Sequence, residues 1–132
     1  MILVLRIVNG ALAVLFVYAA AVNLNDPDPV QWVAIYTAGA VATAWAAWHP
    51  GTLVWWAPLV VGAIAAVWAS RLAPRVKGMG LLGIWRGFVE DAGMKTPQIE
   101  EAREFYGLSI TAGAMLLCAL THALAARTTA HP

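Results

Sequence analysis

Asn25-Asp26-Pro27-Asp28-Pro29 sets two carboxylates and two prolines between two apolar runs. Upstream lies Met1 to Val22, interrupted by the polar residues Arg6 and Asn9. Downstream lies Val30 to Trp48, which carries no charge. Nothing else in the first seventy residues is acidic. A bilayer crossing takes roughly 20 apolar residues in a helix, and each run supplies them. A rigid polar turn between two such runs predicts a helical hairpin that reverses at a membrane surface.

Composition extends that reading to the whole chain. Of 132 residues, 61% are hydrophobic and 11% charged, with a mean hydropathy of +0.72. Soluble domains carry about 25% charged residues, and a chain this short and apolar has too few polar groups to cover itself in water. Two more uncharged runs follow, Leu53 to Ser70 and Tyr106 to Ala126. No alternating pattern of barrel strands accompanies them. The expectation is an all-α integral membrane four-helix bundle, a single transmembrane domain over 1–132 with spans near 3–22, 30–48, 53–70 and 101–126. Arg6, an apolar core and Ala19-Ala20-Ala21 are also the ingredients of a cleavable leader. Asn9 inside the apolar stretch favours a retained helix. A net charge of +1 with no basic stripe excludes a nucleic-acid partner. Cys118 is the sole cysteine, so no internal disulfide forms.

Helix ends are marked locally. Asp28-Pro29 reads as a cap followed by proline at the first helical position, with Gln31 completing a box. His49-Pro50-Gly51 reads as a tight turn; Pro58 is expected to kink the third helix near its start, and Pro74 to close it. Thr96-Pro97 repeats the cap-proline pattern before the fourth. Between them, residues 75–96 hold Leu81, Leu82, Ile84, Trp85, Phe88 and Val89 at helical spacing, with Arg86, Glu90 and Asp91 opposite. That pattern predicts a short interfacial amphipathic segment between helices 3 and 4, weakened by five glycines.

Small residues recur every four positions. Ala34, Ala38, Ala42 and Ala46 form one stripe, Gly62, Ala66 and Ser70 a second, and Ser109 and Gly113 begin a third. Such stripes let helix backbones approach in lipid and are expected to pack the bundle. Of the seven tryptophans, Trp32, Trp48, Trp55 and Trp85 are expected in the aromatic belts at the membrane surfaces. Trp45 and Trp68 are expected deeper.

With four spans, both termini share one side. The other carries Arg71, Arg75, Lys77, Arg86, Lys95 and Arg103, against Arg6 and Arg127, so the positive-inside rule places the loops in the cytoplasm. All seven acids fall on that same side. Helical spacing puts Glu100 and Glu104 on one face, with Arg103 beside them and Glu101 a neighbour. Packing of helix 4 near the first turn would pair Arg103 with Asp26. It would also assemble a polar cluster of Asn25, Asp26, Asp28, Glu100, Glu101, Arg103 and Glu104.

Three motifs stand in order: Arg6-x-x-Asn9-Gly10; Asn25-Asp26-Pro27-Asp28 with Trp32 and Tyr36; and Glu100-Glu101-Ala102-Arg103-Glu104-Phe105-Tyr106-Gly107-Leu108. Together they resemble the transmembrane protein 220 family. The resemblance implies a small multi-pass membrane protein, and implies no reaction.

Two function classes follow. The first is a structural or accessory subunit that docks a larger membrane complex. The second is a membrane-embedded carrier or enzyme whose carboxylate/Arg cluster binds a cation or a lipid headgroup. The first is preferred, because the acids have sufficient roles as caps and ion pairs and no nucleophile–base pair is visible. No catalytic residue and no cofactor are expected. A divalent cation or a bound lipid is the ligand the cluster would take, since carboxylates suit hard cations. The bilayer is the expected partner, in the inner membrane of a bacterium.

Overall fold

The computed structural model describes residues 1–52, 55–76 and 97–129. Four helices succeed one another: α1 (Ile2–Val22), α2 (Pro29–Trp48), α3 (Trp56–Val76) and α4 (Pro97–Thr129), with a 3-10 turn at Asn23–Asn25. Beyond Val76, the amphipathic segment expected over 75–96 lies outside the described residues. So do Leu53 at the expected start of the third span and Trp85 of the expected belt.

The turns follow from local chemistry. Asn23 Nδ2 donates to the Ala19 carbonyl at 2.7 Å, occupying one of the acceptors that a helix end leaves open. Asp26, held extended before Pro27 (ψ 151°), then ends the 3-10 turn. Pro29 begins α2, as its missing N–H allows. The expected Asp28 cap does not form, because the exposed side chain makes no hydrogen bond to the helix end. At the other end of α2, Gly51 adopts φ 86° and the Thr52 N–H reaches the His49 carbonyl at 3.2 Å. Proline second and left-handed glycine third is the type II pattern. The Thr52 hydroxyl caps the same carbonyl and accepts from Trp45 Nε1. Pro58 falls in the first turn of α3, where no intrahelical N–H is lost.

The bundle is built as two close antiparallel pairs, α1 with α2 and α3 with α4. Backbone approach within each pair is set by one glycine. A Cβ on Gly39 would stand 3.1 Å from the Phe16 ring, and one on Gly62 would stand 3.0 Å from Met115 Cβ. Larger side chains fill the seam between the pairs. Trp32 stacks on Trp68 at 4.7 Å between centroids, and Tyr36 stands 6.1 Å from Trp32 and 6.4 Å from Phe16.

The packing faces differ from the expected stripes. On α3 the buried residues are Pro58, Gly62, Ala65, Ala69, Leu72 and Val76; Ala66 and Ser70 are exposed. On α2, Ile35, Gly39, Ala42 and Ala46 are buried while Ala34 is exposed. On α4, Gly113 is exposed and Leu108, Thr111, Met115 and Cys118 face inward. The reason is helical pitch. A turn takes 3.6 residues, so repeated steps of four wind off any contact face, whereas alternating steps of three and four stay on it.

Among the described residues, three helices are long and apolar enough to cross a membrane: Ile2–Asn25 including the 3-10 turn, Trp56–Val76 and Ile99–Thr128. α2 falls outside that set. Its polar and aromatic residues, Gln31, Trp32, Tyr36, Thr37 and Thr43 among them, dilute its hydropathy, and many face the protein interior. It runs antiparallel along α1, and Arg6 Nε donates to the Ala47 carbonyl near the α2 terminus at 2.9 Å, so the two lie at the same depth. The outer face of α1 is lipid-like, with Leu3, Val4, Ile7, Val14, Leu15 and Val17 exposed. The chain is an integral membrane protein.

Among the described residues, the exposed tryptophans gather at one end. Trp48, Trp55 and Trp56, with Trp45, expected deeper, are exposed around the α2–α3 turn, a belt at that end. Trp32, expected in a belt, is instead 2% exposed and belongs to the core. Its proximity to the helix end is real, but it stacks on a neighbouring helix there.

Candidate functional site

The two polar halves meet at the end of the bundle opposite the termini. There a cavity of about 190 Å³ opens between the α1–α2 connection, the first turns of α2 and the first turns of α4. Asn23 and Asp26 come from the connection. Glu100, Arg103 and Glu104 come from one face of α4, which continues through Gly107 to Ile110. Trp32, Tyr36 and Tyr106 supply the aromatic wall.

The remaining acids point elsewhere. Asn25 and Asp28 are exposed and do not line the cavity. Glu101 leaves it to pair with Arg75 at 3.0 Å. That is the one ion pair among the described residues, at a partly exposed surface, where such pairs contribute about 0–1 kcal/mol. The expected Arg103–Asp26 ion pair does not form. Arg103 lines the same cavity as Asp26, yet no carboxylate comes within ion-pairing distance of it among the described residues. The reason is geometric: the two side chains stand on different walls of an open pocket.

The charges still act on one another across it. The Tyr36 hydroxyl lies in the fields of Arg103, Asp26 and Glu104. The Glu104 carboxylate lies in those of Glu100 and Asp26, and more weakly of Glu101 and Asp28. No group of three His, Cys, Asp or Glu among the described residues converges to hold a metal ion.

Donors are left over as well. Tyr36 is 8% exposed and Trp32 2%, and neither the phenol hydroxyl nor the indole N–H has a hydrogen-bond partner among the described residues. In the sequence Trp32 and Tyr36 follow the polar turn but stand outside the expected cluster. Their i, i+4 spacing after Asp28 was the available signal, as was the Arg103 to Gly107 step on α4.

The Arg6/Asn9 motif sits at the far end of the bundle. Asn9 is 2% exposed, and its Nδ2 donates to Thr121 Oγ1 and to the Leu5 carbonyl, both at 2.9 Å. Its Oδ1 has no partner among the described residues. His122, next to Thr121 in sequence, is buried as well. Arg6 and Asn9 therefore tie α1 to α2 and α4, away from the cavity.

No solved structure matches this chain. A family model described as "Transmembrane family 220, helix" matches residues 15–120, most of the chain. The match takes in both halves of the cavity and leaves Arg6 and Asn9 outside its range. The ordered Asn25–Pro29 and Glu100–Leu108 motifs, on an all-helical membrane fold and under a match of this extent, show that the chain belongs to transmembrane family 220.

Proposed function

We propose that this protein binds the polar end of an amphiphilic ligand in the cavity at the base of α4. One observation carries the reading: Asp26 and the Glu100/Arg103/Glu104 face, far apart in sequence, line one cavity walled by Trp32 and Tyr36. α4 has 33 residues, about 50 Å at 1.5 Å per residue, against a hydrocarbon core of about 30 Å. Its first turns therefore stand at headgroup level. The bias of basic residues in the sequence towards the loop side supports a cytoplasmic cavity, of a bacterial inner membrane in this reading. The test is native mass spectrometry of the full chain released from mild detergent. The wild type retains a small-molecule or lipid adduct, and Ile110→Trp, which fills the cavity mouth, loses it. Equal adducts on both proteins would contradict the reading.

The accessory-subunit reading keeps one observation of its own. A shallow apolar groove between α3 and α4 is lined by Gly62, Ala63, Ala66, Ala112 and Gly113, small residues of the kind that admit a neighbouring helix. A mild purification that returns this chain with a stoichiometric partner, lost on Ala66→Leu, supports it. Return of the chain alone counts against it.

A further inference from the structure

We propose that the cavity takes a zwitterionic amine–phosphate group, with the ammonium on Asp26 and Glu104 and the phosphate on Arg103, Tyr36 and Trp32. This rests on the pocket reading above and names the ligand class.

The cavity holds acceptors and donors that are not paired with one another. Its acceptors are the carboxylates of Asp26, Glu100 and Glu104, none ion-paired among the described residues. Its donors are the Arg103 guanidinium, the Tyr36 hydroxyl and the Trp32 indole N–H, also without partners among them. Trp32 and Tyr36 are residues more than nine-tenths buried that line this cavity. Both sets occupy one cavity and do not satisfy each other.

Ligand charge follows from that division. A simple cation would meet the carboxylates and leave Arg103, Tyr36 and Trp32 without an acceptor. A simple anion would meet the donors and leave three carboxylates facing it. A zwitterion meets both. A phosphate suits a guanidinium, which binds it through two parallel N–H bonds. An ammonium offers three donors to separated carboxylates without needing a tight coordination shell, which agrees with the lack of a converging metal-ligand group among the described residues.

Size and position agree. A cavity of about 190 Å³ is smaller than the roughly 300–1,000 Å³ of pockets that enclose a whole drug-sized ligand, and suits a headgroup. Ile110, 68% exposed, stands on its bilayer side, where an acyl chain would leave for the lipid. The same chemistry is shared by a lipid headgroup and a soluble amine phosphate, and the experiment separates them.

The full chain in maltoside micelles is titrated with four probes and dissociation constants are measured by calorimetry. The probes are dihexanoyl phosphatidylethanolamine, dihexanoyl phosphatidylglycerol (phosphate without ammonium), a dihexanoyl ammonium-propane (ammonium without phosphate) and glycerophosphoethanolamine (no chains). The zwitterionic lipid is expected to bind at least about tenfold more tightly than either singly charged lipid, the scale of one charge-assisted hydrogen bond. Glu104→Gln should remove its advantage over phosphatidylglycerol, and Arg103→Gln its advantage over the ammonium lipid. Tyr36→Phe keeps the ring and should weaken zwitterion binding several-fold even if a charge variant fails to fold. Arg75→Gln, outside the cavity, should change nothing. Binding of glycerophosphoethanolamine as tight as the lipid supports the chemistry and makes the source soluble. A zwitterionic lipid no tighter than both singly charged ones overturns the proposal. If a singly charged probe then binds best and cavity variants abolish it, the pocket reading survives. If no cavity variant alters any probe, both fall.

Discussion

The Tyr36 hydroxyl lies against the backbone of Gly107, so that a Cβ there would stand 2.5 Å from the phenol oxygen. This approach joins α2 to α4 at the cavity wall, and a side chain larger than hydrogen at Gly107 would have to displace the Tyr36 phenol. Gly107→Ala should therefore lower stability by about 1–3 kcal/mol, the usual range for overpacking, read as a fall in the thermal midpoint in detergent. Tyr36→Phe in the same background removes the clashing oxygen and should restore about half of the loss or more. Simple additivity of the two changes would refute the contact.

Gly62 and Gly113 make a paired test of the α3–α4 interface. A Cβ on Gly62 would meet Met115 Cβ at 3.0 Å and the Ala112 carbonyl at 3.5 Å, whereas one on Gly113 meets nothing within 4 Å. Gly62→Ala should destabilise by about 1 kcal/mol or more. Gly113→Ala should be neutral or stabilise by up to about 1 kcal/mol, through helix propensity alone. Thermal midpoints moving in the same direction for both would contradict the packing face assigned to α4.

The buried Asn9–Thr121 bond is the polar link between α1 and α4. A double-mutant cycle of Asn9→Leu and Thr121→Val should return a coupling of about 0.6 kcal/mol, within the range measured for side-chain hydrogen bonds inside membrane bundles. Zero coupling would show that the two side chains do not meet.

Orientation has its own check. Asn25 and Thr52 are exposed at opposite ends of α2, and Cys118 is buried. Asn25→Cys in intact cells should resist an impermeant thiol reagent and label only after lysis, while Thr52→Cys labels from outside. The reverse pattern would place the cavity on the external face.

Much of this architecture was legible in the sequence because the forces that set it are local. Pro29 and Pro97 mark helix starts by chemistry that depends on no distant partner. Chain reversal alone put Asp26 on the same membrane side as Glu100, Arg103 and Glu104; their meeting in one cavity depends on α4 packing beside the first turn. What escaped were the features that depend on rotation about a helix axis. Trp32 lies near a helix end, as a belt residue would, yet stacks on Trp68 in the core. The alanine stripe beginning at Ala34 met the contact face only at Ala42 and Ala46, since four-residue steps overshoot the helical turn. Asp28 had the right residue type and position for a cap but turned outward. Arg103 reached the expected cavity without reaching the expected carboxylate.

The central claim is that the Asn23–Asp26 connection and the Glu100–Glu104 face of α4 form two walls of one site. Paired cysteines measure it directly, in a Cys118→Ala background and with a short bifunctional thiol reagent in native membranes. Asp26→Cys with Glu104→Cys should cross-link in high yield, and Asp28→Cys with Glu101→Cys, whose parent side chains point away from the cavity, should not. Failure of the first pair, or equal yield from both, would contradict the site.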